Sequence, residues 1–174
     1  RPQLYSGGYG LSYVDDIAYY LQLVKGTAFE PYFTQEKKDI FINLLMGGHR
    51  LLGYRETFDF GAIGRNISRP EGLSNISPVT LEYMEQNDPG RAADYSAWKE
   101  HLSGGPFPVP GNKYFWKSDM MVQHGAGYYL SAKVISTRTN GTEMLNNENL
   151  KGYNLPLGAT NILTSGKEYE GIFP

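Results

Sequence analysis

Two arginines four residues apart, Arg65 and Arg69, lie in Tyr54–Pro70, YRETFDFGAIGRNISRP, a stretch that should not form regular structure. A four-residue spacing places two side chains on one helix face. Here, however, Gly61 and Gly64 weaken a helix and Pro70 biases Arg69 toward an extended backbone. The reading is a loop. Two permanently charged, planar guanidinium forks on a loop suit carboxylates, sulfates or phosphates. The competing reading is an arginine pair bridged to nearby acids such as Glu56 or Asp59, which would carry no function.

The rest of the chain must position that loop. Its 174 residues, 40 % hydrophobic, suffice for one domain or parts of two and can bury a core. Sixteen basic and eighteen acidic residues give a net charge of -2, so no global field recruits nucleic acid or a membrane, and any anion site must be local. Fourteen tyrosines and twenty-one glycines suit a cleft that stacks on sugars, and equally suit a sandwich core with tight turns. Without cysteine there is neither a disulfide framework nor a thiolate metal site. No metal-ligand cluster or phosphate-binding glycine loop is visible, so no cofactor is expected. The chain starts at Arg1 with no initiator Met and no signal-peptide pattern, which suggests a mature product or a fragment.

The segment RPQLYSGGYG ends in a Gly-Gly-Tyr-Gly turn. Leu11, Val14, Ile17, Ala18, Leu21 and Val24 then repeat with helical period, predicting a helix over 10–25 closed by Gly26. Thr34 offers an N-cap for a helix over 35–52 with core residues Ile40, Phe41, Leu44, Leu45 and Leu51, interrupted by Gly47 and Gly48. Ser77-Pro78 and Asp88-Pro89 open helices over 78–87 and 89–102. The run Ser103–Asn112, with three prolines and three glycines, forbids continued helix and reads as a stiff linker. Beyond it, Lys113–Gln123 and Tyr128–Thr137 are strand-like runs flanking a hairpin turn at His124–Gly127, with weaker strands at Leu155–Leu157 and Asn161–Leu163. The expected class is α+β, with helices in 1–102, a linker in 103–112 and strands in 113–174; neither half closes by itself.

At RPQLYSGGYG, GRNISRP and VISTRTNGTEMLNNENLKGY the chain resembles polysaccharide lyase family 8, the bacterial lyases of hyaluronan, chondroitin and xanthan. The resemblance runs through nearly the whole chain in order. It implies the C-terminal helices of an incomplete α/α toroid followed by the first strands of an antiparallel β-sandwich, with a cleft between them. It also implies β-elimination at a uronic acid: a base removes the C5 proton, the bond from C4 to the bridging oxygen breaks, and an acid protonates that oxygen. The family's tyrosine falls on Tyr9, as the acid and a candidate base. A phenol normally titrates near ~10, so the base role requires positive neighbours. The family's arginine pair falls on Arg65 and Arg69, which would tune Tyr9 and bind anionic sugar. Glu143 matches the acid that orients this network from the sandwich side, and Asn146 matches a neighbouring substrate contact.

The family histidine lies nine residues before the tyrosine, immediately before Arg1, and its carboxylate-neutralising asparagine lies further upstream. His49, His101 and His124 read as structural and replace neither. The resemblance therefore implies an incomplete catalyst from a secreted or periplasmic bacterial lyase, whose partners are an acidic polysaccharide and the remainder of the parent chain. A xanthan-type lyase, a noncatalytic carbohydrate-binding fragment and a piece that only docks the rest of a lyase are the other readings.

Overall fold

The computed structural model describes residues 3–171, apart from the side chains of Pro70 and Glu71. Arg1 and Pro2 of the first motif and the last three residues of the strand region lie outside the described residues. Helices precede an antiparallel sheet, so the α+β order holds. The helices are α1 (Leu11–Val24), α2 (Gln35–Gly47), α3 (Pro78–Asn87) and α4 (Ala92–Leu102). Val14, Ala18, Leu21 and Val24 bury one face of α1, as the 3.6-residue period requires. Gly26, at φ 72°, follows the helix end in the left-handed region. Ser77 caps α3 by accepting from the Val79 N–H at 3.3 Å. Thr34 stands at the N-cap of α2 without a side-chain cap bond.

Some local expectations are corrected. The helix expected over 35–52 stops at Gly47, and the chain continues as a 3-10 turn, His49–Leu51. The buried face of α2 is Phe41, Ile42, Leu45 and Met46; Ile40 and Leu44 are exposed, lining an open groove with Tyr13 and Ile17 of α1. The helix expected from 89 opens with a 3-10 turn, Pro89–Arg91. Gly53–Tyr54 (β1) and Thr57–Phe58 (β2) form a short antiparallel pair. The run Lys113–Gln123 is two strands: β3 (Gly111–Phe115) and β4 (Met120–His124) pair through a turn that places Asp119 at φ 49°. Next come β5 (Tyr129–Lys133) and β6 (Ala159–Leu163), giving the sheet order β3-β4-β5-β6. Residues 155–157 form turns, not a strand.

Two apolar cores form among the described residues. One lies among the four helices, around Tyr95 and Trp98. The other joins the arginine segment (Phe58, Ala62, Ile63, Ile67) to the inner face of the sheet (Met120, Val122, Tyr129, Leu163). Phe107, 5 % exposed, is buried within the linker run. It stacks on His124 at 3.6 Å between centroids and meets His101 edge-on at 5.0 Å. Tyr54 extends this column beyond His101 and Tyr129 beyond His124.

Asp59, fully buried, ties the arginine segment to β5. Its carboxylate accepts from the Gly61 N–H at 2.6 Å, the Tyr129 hydroxyl at 2.9 Å and the Ser131 hydroxyl at 2.5 Å. Lys133 Nζ donates to the Gly61 carbonyl at 2.9 Å. Burial raises the Asp59 carboxyl and pushes the Lys133 ammonium down to about 8.

His49, His101 and His124 are all buried, and desolvation lowers each, His124 to about 4. Between pH 6.5 and 4 the unfolded chain takes up a proton at His124 that the folded chain refuses. The stability that neutral His124 contributes is thus present above pH 6.5 and lost as pH falls toward 4, by on the order of 3 kcal/mol. Denaturant midpoints measured across that window should fall with acid, and His124→Gln should flatten the slope.

Candidate active site

Tyr9 is set by a π-helical turn, Ser6–Gly10, which runs directly into α1; the Gly10 N–H closes the turn on the Tyr5 carbonyl at 3.2 Å. Arg65 sits in a 3-10 turn, Gly64–Ser68, whose end is held by the Ser68 hydroxyl donating to the Arg65 carbonyl at 3.0 Å. Arg69 follows in extended backbone, φ -114° and ψ 125°. The tight turns replace the loop read from sequence and, like it, do not stack the two arginines on an α-helix.

The two carboxylates come from the far side of the linker. In the segment 139–152, Asn149 donates to the Thr142 hydroxyl at 2.6 Å and to the Glu143 carbonyl at 3.1 Å, and Thr142 donates to the Gly152 carbonyl at 2.7 Å. Between Leu145 and Glu148 the chain reverses through Asn146 and Asn147, at φ 57° and 61°. Paired positive φ at both central positions marks a tight hairpin reversal that asparagine tolerates well.

These elements converge on Arg65, which is 7 % exposed. Its NH2 donates to Tyr9 Oη at 2.9 Å, its Nε to Glu148 at 3.0 Å, and its NH1 is bonded to Glu143. Its guanidinium carbon lies 5.3 Å from the Tyr9 ring centroid. Arg69 meets Glu148 with a fork, Nε at 2.8 Å and NH2 at 2.6 Å. The hydrogen bond to Tyr9, with further help from Tyr5 and Glu143, raises Arg65 above its ordinary range. The bonds from Arg69, then from Arg65, hold Glu148 below the usual carboxylate range.

The structure thus brings Tyr9, Arg65, Arg69 and Glu143 into one array. Asn146 is exposed at the tip of the reversal and is not hydrogen-bonded into it among the described residues. Glu148 was missed by sequence reasoning, although it bridges both arginines. The local acids considered as partners take other roles: Asp59 turns inward to β5, and Glu56 is exposed beside the β1–β2 reversal formed by Gly53–Tyr54 and Thr57–Phe58. The spacing of Glu143 and Glu148 around two asparagines was the available signal for a hairpin carrying two carboxylates.

Chemically, the array holds a phenol at an exposed edge: Tyr9 is 59 % exposed, and an arginine donor occupies one lone pair of its oxygen. The proton of that phenol is left to face solvent or a ligand. Two guanidiniums and two carboxylates balance each other, so the array is not an uncompensated anion trap.

Residues 110–174 match the model of the polysaccharide lyase family 8 super-sandwich domain. Chondroitinase-AC of Pedobacter heparinus is 27 % identical over 188 residues, spanning 99 % of this chain and 25 % of that protein. The chain is similar to polysaccharide lyases of family 8. A structure of chondroitinase AC lyase with oligosaccharides superposes with a TM-score of 0.86 at 25 % identity, covering 98 % of this chain and 26 % of the other. Paenibacillus xanthan lyase superposes at 0.81 with 19 % identity, covering 97 % of this chain and 19 % of that one, a likeness of fold. The chain therefore spans about a quarter of the length of its curated relative. In the chondroitinase AC likeness, its helices correspond to the end of the toroid and its sheet to the start of the sandwich.

Proposed function

We propose that the chain is the toroid-to-sandwich segment of a polysaccharide lyase that cleaves uronic-acid-containing glycosaminoglycans, chondroitin first and hyaluronan second, by β-elimination to 4,5-unsaturated products. The observation that carries this reading is the exposed Tyr9 hydroxyl held by a buried arginine, itself held by Glu143 from the sandwich side. In this reading a base takes the C5 proton, the electron pair forms the C4–C5 double bond, the C4–O bond breaks, and Tyr9 returns a proton to the departing oxygen. Arg65 fixes the phenol, Arg69 presents its exposed part to the substrate anion, and Glu143 and Glu148 orient the two arginines. Asn146, exposed on the same hairpin, faces the sugar chain. We place the boundary between helical and sandwich parts within 103–112, with helices in 1–102 and strands in 113–174.

Chondroitin is preferred over xanthan because the chondroitinase AC likeness extends through the sequence, whereas the xanthan lyase likeness is one of fold. Among the described residues no helix is long and apolar enough to cross a membrane. A polymeric acidic substrate lies outside the bacterial cytoplasm, so a secreted or periplasmic location accompanies this function. The test is absorbance of unsaturated uronate when the longer chain carrying this segment is incubated with chondroitin, hyaluronan and xanthan. Product from chondroitin supports the reading. Binding without product from any of the three moves the assignment to a noncatalytic carbohydrate-binding protein.

Glu148→Gln checks the role given to the bridging carboxylate. Without its fork Arg69 must be ordered by the substrate, at about 0.5–1.5 kcal/mol for such a side chain. KM is expected to rise about two- to tenfold, with a smaller change in kcat because the Tyr9–Arg65–Glu143 contacts persist. Steady-state kinetics on chondroitin reads both.

A further inference from the structure

Tyr9 makes one hydrogen bond among the described residues, to Arg65, and more than half of its surface is open. A phenol so placed needs a second constraint to stay over the guanidinium, and the side chain supplying it is Tyr5. The rings of Tyr5 and Tyr9 meet edge to face, 4.9 Å between centroids at 63°. The Tyr5 hydroxyl crosses to the arginine segment and donates to Asn66 Oδ1 at 2.9 Å, on the residue next to Arg65. The Tyr5 ring fills a slot between two glycines. A Cβ on Gly8 would come within 2.0 Å of the ring and one on Gly64 within 2.4 Å, and Gly64 also holds φ 58°. Burial raises the Tyr5 hydroxyl more than Arg65 lowers it, so it stays a donor.

We infer that Tyr5 is a positioning residue for the reaction proposed above: its ring fixes the attitude of Tyr9, and its hydroxyl locks that attitude to the Arg65 turn through Asn66. One side chain thereby registers the turn carrying the acid against the segment carrying the arginines. The inference rests on the lyase reading only for its catalytic consequence. Its geometric content, that Tyr9 leaves Arg65 when Tyr5 is removed, stands apart from activity.

Tyr5→Phe, Tyr5→Leu and Asn66→Ala in the full-length chain test this, by kcat and KM on chondroitin and by crystal structures of the variants. The expected result is a kcat lowered about tenfold in Tyr5→Phe and about a hundredfold in Tyr5→Leu, with KM within about twofold of the unaltered protein. Asn66→Ala should match Tyr5→Phe, and combining the two should cost no more than either alone, since both break one contact. In the Tyr5→Leu crystal the Tyr9 ring should have left the Arg65 guanidinium. Tyr5→Phe keeps the ring in its slot and is read even where the leucine variant fails to fold. An unchanged kcat with raised KM would show a substrate contact instead and overturn the inference. A Tyr9 ring still seated on Arg65 in Tyr5→Leu overturns it whatever the activity. Should the unaltered full-length chain yield no unsaturated product, the lyase reading falls, while the crystal structures still decide whether Tyr5 holds Tyr9.

Discussion

Tyr9→Phe in the full-length chain is expected to lower kcat on chondroitin by about 10² to 10⁴, the usual worth of a positioned proton donor or acceptor, with little change in KM. The substitution removes one oxygen. It keeps the ring that meets Tyr5 and lies beneath the Arg65 guanidinium, so the turn Ser6–Gly10 has no reason to move. Arg65 keeps both carboxylate partners and stays neutralised in place. A loss confined to kcat therefore reports the proton transfer itself and not a collapsed site. Initial rates of unsaturated uronate formation measure it. Activity within about tenfold of the unaltered protein would remove Tyr9 from the chemistry and leave the arginine array as a binding device.

The largest stability effect is expected at Asp59→Ala. The change strips three donors of their acceptor at once, the Gly61 N–H and the hydroxyls of Tyr129 and Ser131, in a place closed to water. Leaving buried polar groups of such a network without partners costs about 3–5 kcal/mol, a large share of the roughly 5–15 kcal/mol that holds a typical domain together. Lys133 also loses its charged neighbour while remaining buried against the Gly61 carbonyl. Denaturant unfolding should show the midpoint shift, and Asp59→Asn, which keeps one acceptor oxygen, should lie between. An Asp59→Ala midpoint equal to that of the unaltered chain would mean that water reaches these groups.

The helices were legible because their signals are local: Val14, Ala18 and Leu21 repeat with the helical period, and Ser77-Pro78 starts α3 where it stands. The register of α2 was less so, since Ile40 and Leu44 fit the apolar period as well as Ile42 and Met46, and only the latter pair enters the core shared with the other helices. The turn between β3 and β4 was hidden because Trp116-Lys117-Ser118-Asp119 has no glycine or proline, and Asp119 takes the left-handed conformation on its own. In the site, Arg65 and Arg69 stood out by charge and spacing, and the resemblance to the lyases pointed to Tyr9 and Glu143. Glu148 and Tyr5 did not stand out. Their partners are 83 and 61 residues away, a distance over which sequence pattern carries no pairing information.

Phe107, clamped between His101 and His124, has a mechanical consequence. A proline- and glycine-rich connector between helices and strands would ordinarily serve as the hinge on which a cleft opens. Here, bending at that point would have to pull an aromatic ring out of a stack that spans both layers, so the two layers travel as one rigid body at this junction. The segment 139–152 adds a second tie between the layers, since it carries Glu143 and Glu148 to Arg65 and Arg69 on the other side.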